Sequence, residues 1–173
     1  DVGRKNLLAT MHGTFWDFPA DVSHARMGGI RPVSTYLKVI GDFCTWQGQV
    51  VFGCDDLAKN EFLGKRRAKG VRQKARRSQS NLWFVEKDAL GAFGPRVGHG
   101  AVWSRDAVKR GDVSDPYLFA GYDRKWLWIT AGEYAAEVDE QGDGTWKPWK
   151  TFAAGGHDLW DAPKAEWIRF VAR

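Results

Sequence analysis

The stretch GDFCTWQGQVVFGCDD, residues 41 to 56, decides the fold. It reads as two apolar strands around Gln47-Gly48, a two-residue turn of the kind that joins antiparallel neighbours. In that register Trp46 faces Gln49, Cys44 faces Val51 and Cys54 falls opposite Gly41. Cys44 and Cys54 then stand about three residues, or ~10 Å, apart along the strand. A disulfide needs Cα atoms within ~7 Å, so the two read as separate, semi-buried thiols unless a bulge shifts the register. Nothing has the Cys/His spacing of a zinc site.

Outward from this hairpin, strand signals recur along the whole chain. NLLATM, NLWFVE, YLFAGY, KWLWIT, YAAEVD, WKPWKTF and EWIRFVA are short runs of aromatic and β-branched residues between Gly, Asp, Pro and Gln turns. EVDEQGDGTW is a hairpin signal with Asp143-Gly144 in the turn. Helical signals are scarce; DDLAKNEFLGKRRAKG offers a turn or two, with Gly64 as a stop.

A repeat emerges in the order of these runs. From Gly41 to Pro95 come glycine, aromatic, turn, apolar strand, then NLWFVE and FGP; from Gly121 to Phe152 come Gly-Tyr-Asp, turn, WLWIT, then YAAEVD and WKPW. Each unit makes an antiparallel meander of ~40–50 residues once the basic insertion is removed. The strands expected are 37–46, 49–54, 81–86 and one before Trp103 in the first sheet. The second sheet takes 117–122, 126–131, 134–139 and 146–152. EWIRFVA would start a third unit, and NLLATMHGTFWDFP would belong to the one before the first.

Four-stranded units in series, rich in Trp and Gly, predict an all-β chain: an arc of a β-propeller, with a β-sandwich or jelly roll as the competing architecture. Residues 1–173 read as one propeller segment with two full blades, 37–103 and 117–152, and parts of two others. A ring needs about four blades or more, and the first residue is Asp1 rather than Met. The expectation is therefore a piece of a larger propeller, whose remaining blades are its first partners.

The bulk numbers agree with a globular body. Hydrophobic residues make 43% and charged residues 27%, ordinary values, while aromatics reach 14% with ten Trp and ten Phe. That surplus needs large flat surfaces to pack between, or ligands with flat faces. The net charge is +5, yet Lys65 to Arg77 alone carries eight Lys or Arg and no acid. The rest of the chain is slightly acidic, which describes one basic loop on a near-neutral body. Without interleaved aromatics that loop is a weak nucleic-acid signal; a solvated insertion, exposed and poorly ordered, fits better. No run reaches the ~18–20 apolar residues of a membrane span.

The succession MHGTFWDFP, GGIRPVSTYLKVIGDFC, VVFGCDDLAKNEFLGKR, QSNLWF, GAVW, SDPYLFAGYD, EVDEQGDGTWKPWKTF and AEWIRF resembles a group of bacterial, exported β-propeller proteins of unsettled function. The resemblance covers nearly the whole chain and implies a secreted or periplasmic protein. More distantly, the chain is similar in fold to seven-bladed carbohydrate-active propellers, including those that cleave rhamnose–glucuronate linkages. Their catalytic histidine has no match to a particular histidine here, and a fold does not give a function.

Candidate site residues follow from the strand ends. His12, beside a glycine and an aromatic cluster, suits an acid or base. Arg31 can fork a carboxylate, Lys59 can hold an anion, and Trp16 and Trp103 offer faces to a sugar ring. Asp55 and Asp56 suit a hard cation such as a structural Ca²⁺, or Asp55 a sugar hydroxyl; strand alternation splits the pair, and Asp56 can cap the turn before LAKNEF. His99, in VGHGAVW, sits between glycines, and His157 reads as part of a blade-linking loop. The expected function is binding or cleavage of an acidic polysaccharide in the central depression, as a polysaccharide lyase or glycoside hydrolase would act. A noncatalytic scaffold propeller is the alternative.

Overall fold

The computed structural model describes residues 1–55 and 80–173, and among these the chain is all-β. Ten strands form three sheets, and the only helical turn in the described part is a 3-10 helix at Lys87–Gly91. None of the sheets closes into a barrel, an arrangement compatible with an open arc of blades or a sandwich. The chain divides into two compact units. One comprises Asp1–Asp17 with Pro32–Arg96, the other Phe18–Arg31 with Val97–Arg173.

In the first unit, β1 (Leu7–Met11), β2 (Thr14–Phe18) and β3 (Arg31–Thr35) make one sheet in that order. His12 (φ 49°) and Gly13 (φ 74°) both take positive φ, the requirement of the tight turn that matches strand twist. A second sheet runs β4 (Val39–Trp46), β5 (Gln49–Asp55), β6 (Ser80–Val85). Its first hairpin turns at Gln47 (φ 47°) and Gly48 (φ 84°), with Trp46 opposite Gln49 and Cys44 opposite Val51, the expected register. Between Ile40 and Asp42 the register shifts, so Cys54 lies opposite Ile40 rather than Gly41. Both cysteines are free thiols, Cys44 exposed and Cys54 buried.

The inner faces of these two sheets share one core. Leu8, Phe15 and Tyr36 pack with Val50, Phe52 and Val85, and the 3-10 turn adds Leu90. Phe15 is the hub: its ring centroid lies 4.4 Å from Tyr36, 5.2 Å from Phe52 and 6.0 Å from Trp83. Here the aromatic surplus is spent on packing; truncating Phe15 or Phe52 to Ala would cost about 3–5 kcal/mol. Ser34, fully buried, donates its hydroxyl to the Leu90 carbonyl.

The fourth strand expected before Trp103 is not part of this sheet. After β6 the chain turns through Lys87–Gly91 so that Leu90 enters the core, and Gly94 exchanges two backbone bonds with Thr35 of β3. The run that follows, GPRVGHG, is broken by glycine and proline and has no apolar alternation to hold a ladder.

The second unit is built on a four-stranded antiparallel sheet, β7 (Tyr117–Leu118), β10 (Trp167–Ala172), β8 (Trp126–Asp139), β9 (Trp146–Asp158), in that spatial order. Two expectations are corrected. Residues 126–131 and 134–139 are one continuous strand, because Thr130–Gly132 form a bulge rather than a turn: Ile129 pairs with Gly155 and Glu133 with Ala153. EWIRFVA, expected to open a third unit, instead supplies β10 between β7 and β8. Its alternation buries Ile168, Phe170 and Ala172, and the first two join Ala136, Val138 and Phe152 in this unit's core. Burying that face outweighs sequence order.

Candidate functional site

The residues singled out in the sequence are divided between the two units. His12 is exposed at the tip of the β1–β2 turn, in the first unit, whereas Arg31 belongs to the second. Trp16 is half-buried on β2 and donates its indole N–H to the Met11 carbonyl at 3.4 Å. Trp103 packs on the second unit's core, 5.5 Å from the Tyr134 ring. The Asp55 main chain ends β5 opposite Val39 and Ser80. The Asp55 side chain, Asp56, Lys59 and the basic run from Lys65 to Arg77 lie outside the described residues. Among the described residues no group of three or more His, Cys, Asp and Glu side chains could hold a metal ion; the cation expectation rests on Asp55 and Asp56.

Arg31 has its fork already occupied. It closes on Glu166 through bonds of 2.5 and 2.6 Å, and Glu166 also accepts the Gly29 N–H at 2.7 Å. Burial by itself would raise the Glu166 carboxyl, but the Arg31 and Gly29 hydrogen bonds and the Arg31 charge hold it below the ordinary range. The bond to Glu166 likewise raises Arg31 against the opposing effect of burial. Nearby, Met27 N–H donates to the Gly142 carbonyl, and the Trp167 indole donates to the Met27 carbonyl at 3.0 Å. Gly28 lies against the Gln141 carbonyl where no side chain would fit. These contacts pin Met27 and Gly28 to the β8–β9 turn and Gly29 and Arg31 to the entry of β10.

That turn is organised by Asp139, only 2% exposed. One carboxylate oxygen accepts N–H groups of Gln141 and Gly142 at 3.1 and 2.8 Å, and the other accepts that of Gly144 at 2.8 Å. Gly142 and Gly144 take φ of 71° and 85°, conformations that favour glycine. The role of Asp139 is structural.

Indole faces do reach the surface, at tryptophans other than the two expected. Trp126 and Trp128 are 62% and 70% exposed and share one face of β8, while Leu127 and Ile129 turn inward. Across the ladder, Trp128 faces Gly156 and Trp126 faces Asp158. A Cβ on Gly156 would stand 2.8 Å from Trp126 Cζ2 and 3.1 Å from Trp128 Cε3, so both rings lie over a bare stretch of backbone. Asp158 binds the exposed Arg124 guanidinium at 2.7 Å, which puts a cation beside the indoles. Trp160, just beyond β9, is 86% exposed. Large exposed apolar groups in one patch mark a binding surface more often than chance. The alternation KWLWIT carried this signal in the sequence.

His157 closes β9 rather than a blade-linking loop; its ring donates to the Ala153 carbonyl at 2.8 Å and packs on Phe152. No protein-family model, curated protein or solved structure matches this chain.

Proposed function

We propose that the chain is an arc of a carbohydrate-active β-propeller that binds an acidic polysaccharide, exported to where such polymers occur. The observation that carries this reading is the Trp126–Trp128 pair over Gly156. A pyranose ring presents an apolar face that stacks on an indole, and its hydroxyls then stay in water. Arg124, at the edge of the pair, supplies charge for a polymer bearing carboxylates. Arg31 has both nitrogens of its fork closed on Glu166, whereas Arg124 gives Asp158 one nitrogen and keeps its side chain 80% exposed, which supports the second as the anion-holding arginine. The supporting geometry is that of binding.

Calorimetry with uronic-acid oligosaccharides on wild type and on Trp126→Ala/Trp128→Ala tests the proposal. Loss of binding with an unchanged circular dichroism spectrum is the expected result. Equal binding by both proteins would overturn it.

A scaffold propeller is the second reading, favoured by the outer face of the β4-β5-β6 sheet. Trp46, Leu82 and Phe84 are 60%, 65% and 49% exposed there, with Phe84 paired to Val51 and Leu82 to Gly53. In a propeller such a face packs on the next blade. Under this reading Phe84→Ser changes association with the remaining blades and leaves oligosaccharide binding untouched.

A further inference from the structure

The β8–β9 turn holds the only Asp-Gly step in the sequence, Asp143-Gly144, and there is no Asn-Gly step. At such a step the main-chain nitrogen of the glycine can attack Cγ of the preceding carboxyl group. A C–N bond forms, the carboxyl O–H leaves as water with the amide proton, and a cyclic imide closes. Water then opens the ring at either carbonyl. One cleavage restores aspartate; the other leaves isoaspartate, with the main chain running through the side chain. The water released is balanced by the water taken up, so the change is an isomerisation that needs no other reactant. Glycine favours it because no Cβ crowds the attacking nitrogen. Asp143 and Gly144 are both exposed, and nothing lies within 4 Å of where a Gly144 Cβ would stand, so water reaches the step.

In the folded turn both reacting groups are engaged elsewhere. The Gly144 N–H is donated to Asp139 Oδ2 at 2.8 Å. Asp139 is 2% exposed, and its other oxygen takes the Gln141 and Gly142 N–H groups at 3.1 and 2.8 Å, so the acceptor is fixed in place. Asp143 Oδ1 accepts the Thr145 N–H at 2.9 Å, which ties the carboxyl group to the chain beyond Gly144. Hydrogen bonds from Thr145, its main chain before its side chain, hold the Asp143 carboxyl below the ordinary carboxylate range. It stays ionised, and a carboxylate has no O–H to lose as water. A hydrogen bond to a charged acceptor is stronger than a neutral one. The Gly144–Asp139 bond is therefore the contact that must open before the nitrogen can turn on Cγ.

We propose that Asp143-Gly144 is a self-modification site, an isoaspartate-forming step that the buried Asp139 carboxylate holds unreactive in the folded protein. It is independent of the polysaccharide reading, because the turn shares no residue with the Trp126–Trp128 face. The product has one more main-chain carbon between the Gly142 and Gly144 N–H groups, both of which Asp139 holds. The Gly142 carbonyl receives the Met27 N–H, and Gly28 lies against the Gln141 carbonyl. Isomerisation therefore loosens Met27 and Gly28 from the turn, a slow covalent change whose rate follows how often the turn opens.

The test incubates wild type, Asp139→Asn, Asp139→Ala, Asp143→Glu and Gly155→Ala at neutral pH, each in buffer and in urea that unfolds it. Isoaspartate is measured by isoaspartyl methyltransferase labelling and placed by tandem mass spectrometry. In urea all but Asp143→Glu should form isoaspartate at position 143 at one common rate. Folded wild type should react about tenfold or more slowly, since only opened molecules react. Asp139→Asn keeps the size of the side chain and one acceptor oxygen, and circular dichroism reports its fold. When folded it should react several-fold faster than wild type, and Asp139→Ala faster still. Gly155→Ala weakens the same sheet without touching the turn and should keep the slow wild-type rate. Folded wild type reacting as fast as in urea, or folded Asp139→Asn as slowly as wild type, would overturn the proposal. So would equal acceleration in Gly155→Ala, which traces the rate to general stability, or no isoaspartate at position 143 in unfolded wild type.

Discussion

Arg31 and Glu166, 135 residues apart in sequence, are joined by two charge-assisted hydrogen bonds of 2.5 and 2.6 Å. The carboxylate is the better buried partner, with 14% of its side chain exposed against 36% for Arg31. Its folded-state pKa is depressed, so the pair stabilises the fold above the ordinary carboxyl value of 4.5. That contribution is lost as pH falls below 4.5 through the folded value. Glu166→Gln should cost about 1–2 kcal/mol at neutral pH, allowing for screening of the partly exposed Arg31. It should also flatten the stability profile in this acid window. Urea melts of both proteins at pH 7 and at successive acid pH values measure the difference; parallel profiles would show that the pair contributes nothing.

Asp139→Ala removes the buried acceptor of the Gly142 and Gly144 N–H groups. Gly142 is buried and Gly144 exposed, so one donor is left without a partner, at a cost of about 1–3 kcal/mol. The Met27–Gly142 backbone bond depends on the same turn, so amide exchange should accelerate at Met27 as well as at residues 141–144. Unchanged protection at Met27 would show that the turn and Met27 are independent.

How far the sequence reveals these arrangements depends on the range of the deciding contact. The β4–β5 register is legible because Gln47-Gly48 sets it locally, and only the bulge at Gly41 moves Cys54 by one residue. β3 escapes notice because Pro32 interrupts it, a residue tolerated at the border position β3 holds in its sheet. The Thr130–Gly132 bulge reads as a turn, since its status depends on the long partner β9. The alternation of Trp126 and Trp128 with Leu127 and Ile129 is local, and it exposes the indole pair without any structure. The closing of Arg31 on Glu166 is long-range and has no local signature.

The two cysteines should behave differently towards a thiol reagent. Cys44 is exposed, whereas Cys54 is 6% exposed and donates its S–H to Asn81 Oδ1. Under native conditions one thiol should react quickly and the second only on unfolding. Two equally fast reactions, or no free thiol at all, would contradict this arrangement.

Adjacent glycines in β9 separate the platform from its backbone. Gly155 has φ 131°, a conformation costly for other residues, and open space around its missing side chain. Gly155→Ala should therefore lower stability by about 1 kcal/mol or more through backbone strain, with the indoles undisturbed. Gly156 has no such strain, but its Cβ would press on both rings at 2.8 and 3.1 Å. Gly156→Ala must push Trp126 and Trp128 aside, because real carbon contacts do not fall that short. Tryptophan fluorescence should change for Gly156→Ala and not for Gly155→Ala. Acidic oligosaccharide binding should weaken several-fold only in the first variant, while the midpoint of thermal unfolding should fall more in the second. The reverse pattern, with binding lost through strain at Gly155 and kept at Gly156, would remove the indole pair from the binding surface.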